Sequence, residues 1–234
     1  MAVETRPAID DAAIQAFASG LRGALIQPHD PAYDTARRVY NAMIDRRPAL
    51  IARCADAGDV IQAVQFARDH GLLLAVRGGG HNGPGLGVCD DGLVIDLSPM
   101  KGVRVDPVAR TARVAGGSLL GEVDHATHAF GLATPSGIIS TTGVGGITLG
   151  GGIGYLTRRC GLAVDNVLEV DMVLADATFV GASEEQHPDL FWAVRGGGGN
   201  FGVVTSFLFR LHPVDTIYAG PMLWHAERSA EVLR

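Results

Sequence analysis

AVRGGGHNG at Ala75–Gly83 sets one imidazole, His81, directly after three glycines, and AVRGGGGNFG at Ala193–Gly202 repeats the phrase with Gly199 in the histidine's place. Glycines have no Cβ, so their backbone can approach a ligand closely and, at φ > 0, turn successive N–H groups inward as an anion nest. A histidine in such a turn adds a nitrogen nucleophile that is largely neutral near pH 7, where a lysine amine is mostly protonated. A third cluster, within 143–154, offers the same kind of backbone. The 32 glycines of the 234-residue chain concentrate in 78–87, 143–154 and 196–202, each between apolar segments, which reads as ordered turns and not as a linker. Three such turns point to a phosphate-bearing ligand, with a dinucleotide as the obvious candidate.

Gly78–Gly83 and Gly197–Gly202 both satisfy G-x-G-x-x-G. A Rossmann site also needs that motif to open a helix whose N-terminus faces the pyrophosphate. Pro84, Gly85 and Gly87 follow the first copy, and the β-branched and aromatic VVTSFLFRL follows the second, so neither opens a helix. No G-x-x-x-x-G-K-[ST] occurs, which excludes a P-loop.

The elements that must position these turns read as α+β. Ile9–Leu21 predicts a helix, and Asp34–Asp45 another helix or an irregular lead-in. ALIARC at Ala49–Cys54 predicts a strand, Asp56–Gly71 a helix capped by Asp56 or Asp59, and LLLAV at Leu72–Val76 a second strand, making one βαβ unit with parallel strands. Short strands follow at Gly92–Ser98, Gly102–Asp106 and Thr111–Gly116, then a helix over Ser118–Phe130. Further strands are predicted at Leu168–Leu174, Thr178–Ala182 and Val203–Leu211, with a helix over Pro188–Val194.

With 47% hydrophobic residues the chain can bury a sizeable core. Its net charge of −6, and basic residues that never cluster beyond pairs such as Arg158-Arg159, favour neither nucleic acid nor a membrane surface as partner. The first thirty residues form no secretory signal and the longest aliphatic run is Leu72–Val76, so a cytoplasmic location is expected. Cys54, Cys89 and Cys160 are widely spaced with no C-x-x-C, and no metal site is expected.

RGGGHN at Arg77–Asn82, PSGIISTTGVGGITLGGGIGYLTRRCGLAVDN at Pro135–Asn166 and DLFWAVRGGGGNFGVVTSF at Asp189–Phe207 together resemble the PCMH-type FAD-binding domain of the vanillyl-alcohol-oxidase superfamily. Within it the chain is most similar to the berberine-bridge-enzyme-like and 6-hydroxy-nicotine-oxidase-like flavoprotein oxidases. The similarity runs from about Tyr40 to Pro213. It implies a helical lead-in over 1–39, a two-lobed FAD-binding domain over 40–214 with lobes of roughly 40–116 and 117–214, and over 215–234 the start of a substrate-binding domain that is largely absent.

The resemblance implies FAD as cofactor, with the loop of Arg77, Gly78, Gly79, Gly80, His81 and Asn82 around the pyrophosphate. It places His81 at the dimethylbenzene edge of the isoalloxazine, covalently bonded to the 8α carbon. Pro135, Ser136, Gly137, Thr142, Gly143, Gly146, Ile147, Gly151, Gly152 and Gly154 would line the ribityl chain and pyrophosphate, and Val203 and Val204 would pack near the nucleotide end. Some relatives carry a second bond from a cysteine to flavin C6; its slot falls on Ile139 here, which implies a single attachment, and Cys160 lies outside that slot. Relatives have Asp-Gly where this chain has Asp176-Ala177, so a changed turn is expected.

The implied activity is that of an oxidase, with a hydride passing from a small alcohol, amine or sugar to flavin N5 and the electrons then to O2. The base that removes the substrate's proton belongs to the part of the relatives that follows these residues, so no catalytic residue is assigned. That part would come from a second chain if this one is a subunit. Two other readings stay open: a flavin-binding fragment without turnover of its own, and an α+β domain whose glycine loops are purely structural.

Overall fold

The computed structural model describes residues 9–218 and 220–234, so the first eight residues of the expected lead-in lie outside the described residues. The chain begins with α1 (Asp11–Gly20), capped by the Asp10 carboxylate, which accepts the Ala12 N–H at 3.2 Å. β1 (Ala24–Ile26) pairs antiparallel with β2 (Leu50–Arg53), so the lead-in is part of the first sheet. Three residues are too few to show a periodicity, and the sequence does not announce this strand. Between them lies one helical turn, α2 (Tyr33–Ala36), and 37–45 is irregular.

α3 (Ala57–Asp69) connects β2 to β3 (Leu74–Arg77) as the βαβ reading expects. β4 (Leu93–Asp96) then inserts between those strands, parallel to both, in the order β1-β2-β4-β3. Leu50, Ala52, Leu93 and Ile95 cluster with α3 and with Phe17 of α1, while Ile51, Ala75 and Val94 cluster with Ile26 and Tyr33. That alternation is the period of two of an extended chain, and with both faces covered the strands can be apolar throughout.

Of the two acids nominated to cap α3, Asp56 does so: its Oδ1 accepts the Asp59 N–H at 3.1 Å. Asp59 is buried and accepts the N–H groups of Arg22, Gly23 and Ala55 at 2.8, 2.9 and 2.7 Å, tying the α1–β1 connection to the start of α3. Asp56→Ala is expected to cost about 1 kcal/mol. The hydrogen bond from the Asp59 N–H, helped by the Arg22 guanidinium, holds the Asp56 carboxyl below its ordinary value of 3.8. A group depressed in the folded state stabilises above its unfolded pKa and loses that contribution as pH falls. Urea midpoints of wild type and Asp56→Ala should therefore differ fully at pH 6 and converge below about pH 4.

The second lobe contains β5 (Val103–Asp106), β6 (Thr111–Ala115), α4 (Leu120–His128), β7 (Leu132–Ala133), α5 (Val144–Leu149) and α6 (Thr157–Cys160). β8 (Val167–Val173), β9 (Phe179–Ser183), α7 (Pro188–Val194), β10 (Val203–Arg210) and β11 (His212–Pro213) complete it. Five strands form an antiparallel sheet in the order β5-β6-β10-β8-β9. The division between the two sheets falls between Asp96 and Val103. β6 finds its partner in β10, with Ala115 opposite Ser206, a pairing that no local pattern encodes. Val173 and Val203 of the second sheet pack into the α3 cluster and join the lobes. The architecture is the two-lobed α+β arrangement the motifs imply.

The β8–β9 turn departs from expectation. Ala177 keeps the left-handed conformation of a glycine, φ +69°, held by Ala177 N–H to Leu174 O and Leu174 N–H to Thr178 O, both 2.9 Å. Those bonds, and packing against the α3 cluster, offset roughly 1 kcal/mol of left-handed strain. Ala177→Gly is expected to stabilise by about 0.5 kcal/mol in urea unfolding, because relief of strain exceeds the added chain entropy. A lower midpoint would show that the methyl's packing outweighs the strain.

Candidate cofactor-binding cleft

A cleft of about 780 Å³ opens where the three glycine clusters meet, within the 300–1,000 Å³ range of cofactor sites. The end of β3 and the loop after it contribute Arg77, Gly78, Gly79, Gly80, His81 and Asn82; the α5 region contributes Thr142, Gly143, Gly146 and Ile147; β10 contributes Val203 and Val204. All twelve were nominated from the sequence. Neither glycine motif opens an α-helix: the first runs into turns, and the second passes through a short 3-10 turn at Gly198–Asn200 into β10.

Pro135, Ser136, Gly137, Gly151, Gly152 and Gly154 do not reach the cleft wall. They form a layer beside it in which Gly137, Gly152 and Gly154 answer to protein atoms, and Gly151 to its own φ of +113°. A Cβ on Gly154 would lie 2.8 and 2.9 Å from the carbonyl oxygens of Ser136 and Gly137, and one on Gly152 would lie 2.4 Å from Ala163 Cβ. Gly116, Gly145, Gly150, Leu86 and Leu97 also line the wall without having been assigned individually from the sequence, and the second echo, read there as one of three ligand-facing turns, contributes Gly198, Gly199, Asn200 and Gly202. For the echo the repeat was the available signal; the isolated positions carry none.

Two groups among the wall glycines contrast. Gly79 and Gly143 touch backbone to backbone: a Cβ on Gly79 would lie 2.2 Å from Gly143 N, and one on Gly143 2.2 Å from Gly79 N. Gly116 is similarly closed in by Val204 O at 2.5 Å. These glycines let the loops meet. A Cβ on Gly146 or Gly199, by contrast, would find no protein atom within 4 Å beyond its chain neighbours and, for Gly146, its own helix, and neither residue has a left-handed φ. No demand of the protein itself accounts for glycine there, whereas a ligand lying against the wall would.

Among the described residues, Arg77 and His81 are the basic side chains on the wall, and the Arg77 guanidinium is already engaged. Nη2 lies 2.9 Å from Asp96 Oδ2, both side chains are over nine-tenths buried, and Nη1 donates to Arg38 O at 3.3 Å. Arg53, from the other neighbouring strand, reaches the same carboxylate at 3.6 Å. Phosphates in this cleft would therefore meet backbone N–H groups, as in an anion nest, with Arg77 fixing the start of the loop.

His81 sits at the rim of this wall. Tyr40 stacks on its ring at 4.1 Å between centroids, Thr141 Oγ1 lies 3.1 Å from Nε2 and Thr142 Oγ1 3.5 Å from Nδ1. The arrangement places one held nitrogen nucleophile at the edge of a glycine-walled cleft. Among the described residues, no group of three or more His, Cys, Asp or Glu could hold a metal ion.

Comparison with known proteins agrees with this geometry. Residues 48–183 match a family described as FAD binding domain. Over 205 residues the chain is 40% identical to (R)-6-hydroxynicotine oxidase of Paenarthrobacter nicotinovorans, covering 87% of this chain and 45% of that protein. The wild-type BBE-like 1 structure from Physcomitrella patens superposes with a TM-score of 0.81 at 35% identity, over 86% of this chain and 44% of that one. The structure of glucooligosaccharide oxidase from Acremonium strictum, described for its 6-S-cysteinyl, 8α-N1-histidyl FAD, gives 0.80 at 34%, over 85% and 42%. The chain thus spans less than half the length of these relatives. It belongs to the FAD binding domain family, in its PCMH-type, berberine-bridge-enzyme-like and 6-hydroxynicotine-oxidase-like branch, and FAD is its cofactor.

Proposed function

We propose that this chain supplies the flavin-carrying part of an FAD-linked oxidase, with FAD bonded through its 8α carbon to His81. The observation that carries the reading is His81 held at the rim of a cleft whose wall keeps glycine at Gly146 and Gly199 with no protein atom to require it. The relative described as carrying an 8α-N1-histidyl FAD supports the attachment, and Ile139 in place of a second nucleophile supports a single bond. Bound FAD would supply a two-electron acceptor for a hydride from a small alcohol, amine or sugar, with O2 as final acceptor.

The chain's own residues bind and orient. Gly78–Gly80, Gly143 and Gly146 present backbone to the pyrophosphate and ribityl chain, and Arg77 anchors the first loop through Asp96. Asn82 pins the loop's exit, its Oδ1 accepting the Leu86 N–H at 2.9 Å. Thr142, Ile147, Val203 and Val204 give the wall its shape and exclude water, while Pro135, Ser136, Gly137, Gly151, Gly152 and Gly154 support it from beside. Because the chain covers less than half of its relatives, a second reading stands alongside: flavin held without turnover until another chain completes the substrate site.

The test is covalent flavin. Protein expressed with added riboflavin is precipitated with acid and run on a denaturing gel; the wild-type band should fluoresce as flavin and the His81→Ala band should not. Absence of flavin from the wild type, bound or covalent, sinks the proposal. Oxygen consumption with alcohols, amines and oligosaccharides separates the oxidase from the carrier.

A further inference from the structure

The two threonines beside His81 differ in placement. Thr142 lines the cleft together with His81, and Thr141 does not. The short contact, Thr141 Oγ1 to Nε2 at 3.1 Å, is thus made by the threonine outside the wall, and the loose one, Thr142 Oγ1 to Nδ1 at 3.5 Å, by the threonine that lines it. At 3.5 Å a hydrogen bond is at its outer limit and leaves the nitrogen's lone pair available. Tyr40, stacked at 17° from parallel and donating its N–H to Gly80 O at 3.0 Å, holds the ring plane.

We propose that Thr141 is a positioning residue for covalent attachment: its hydroxyl accepts the Nε2–H, so the neutral imidazole carries its lone pair on Nδ1, the nitrogen that Thr142 of the wall approaches. This rests on the covalent reading of His81. A neutral imidazole has one donor and one acceptor nitrogen, and the partner at one decides the other. Attachment joins Nδ1 to the 8α carbon in place of one methyl hydrogen, and the ring gives up its Nε2 hydrogen. The two hydrogens leave as protons, their two electrons go to the isoalloxazine, and dioxygen removes two electrons and two protons as hydrogen peroxide. Bond formation and oxidation then balance, with dioxygen as the oxidant.

A hydroxyl suits Nε2 on both sides of that step. It accepts the N–H beforehand and donates its O–H to the bare nitrogen afterwards. Serine does both, and valine, of nearly the same shape as threonine, does neither.

Wild type, Thr141→Val and Thr141→Ser are prepared flavin-free in a riboflavin-starved host and mixed with FAD in air. Reversible binding is followed by quenching of flavin fluorescence, and bond formation by the fluorescence of the acid-washed gel band over time. Reversible affinity should agree within about twofold for all three. The covalent rate should fall about tenfold in Thr141→Val, the upper end of what one neutral hydrogen bond contributes, and stay within about twofold of wild type in Thr141→Ser. Thr141→Val bonding FAD at the wild-type rate overturns the role of Thr141 and leaves that of His81 intact. A wild type that binds FAD and never bonds it overturns both.

Discussion

Gly143→Ala is expected to destabilise the protein by about 3 kcal/mol and to lower its melting temperature by roughly 6–12 °C. The added Cβ would lie 2.2 Å from Gly79 N, 2.8 Å from Gly79 Cα and 3.2 Å from Gly78 C, all of them backbone atoms. A flexible side chain could swing aside; a backbone segment anchored at Arg77 and at the Tyr40–Gly80 hydrogen bond cannot. The two loops must separate, which also pulls Thr141 and Thr142 from His81, so covalent flavin should fall with stability. Gly79→Ala should cost a similar amount, because its Cβ would meet Gly143 N at the same 2.2 Å. The double variant should cost little more than either single one, since one separation relieves both clashes. Additive costs would mean that the loops do not move as a pair. Gly146→Ala is the control: its Cβ meets no protein atom outside its own helix, so stability should hold while flavin loading reports what occupies that space.

That contrast shows why only part of the site was legible. Glycine in a sequence announces close approach, but the approaching partner can be a ligand, as inferred at Gly146, or another stretch of chain, as at Gly154. The three clusters were therefore readable as one converging site, in which Pro135, Ser136, Gly137, Gly151, Gly152 and Gly154 stand beside the wall. Gly116 and Leu97 escaped because each is one residue at the end of an ordinary strand, and only tertiary placement turns it toward the cleft. At the level of fold, local period revealed strands and helices while partner choice stayed hidden. β4 slips between β2 and β3, and β6 waits for β10. Ala177 shows the limit of propensity: a turn fastened by several hydrogen bonds forced on alanine a conformation that its type disfavours.

Asp96→Ala should be more damaging still, at about 3–5 kcal/mol, or roughly 6–20 °C in melting temperature. Asp96 ends β4 between Arg53 and Arg77, its register partners on the two flanking parallel strands. One carboxylate against two guanidiniums leaves a local charge of +1 (+2 − 1), and removing it raises this to +2. Arg53 can turn to solvent, since its side chain is 46% exposed, and Arg53→Ala should cost no more than about 1 kcal/mol. Arg77 has no such exit: its side chain is 8% exposed and would keep only the 3.3 Å bond to Arg38 O. The Ser98 N–H would lose its acceptor, Asp96 Oδ1, as well. Most of the cost is thus a buried charge left without its counter-ion, and not the attraction of the pair itself. Arg77→Met combined with Asp96→Leu should then recover most of the melting temperature lost in Asp96→Ala, because it removes both desolvated charges together. If the double variant melts as low as the single one, the pair's mutual attraction is what holds the ends of β3 and β4, and the Gly78–Gly80 loop, in place.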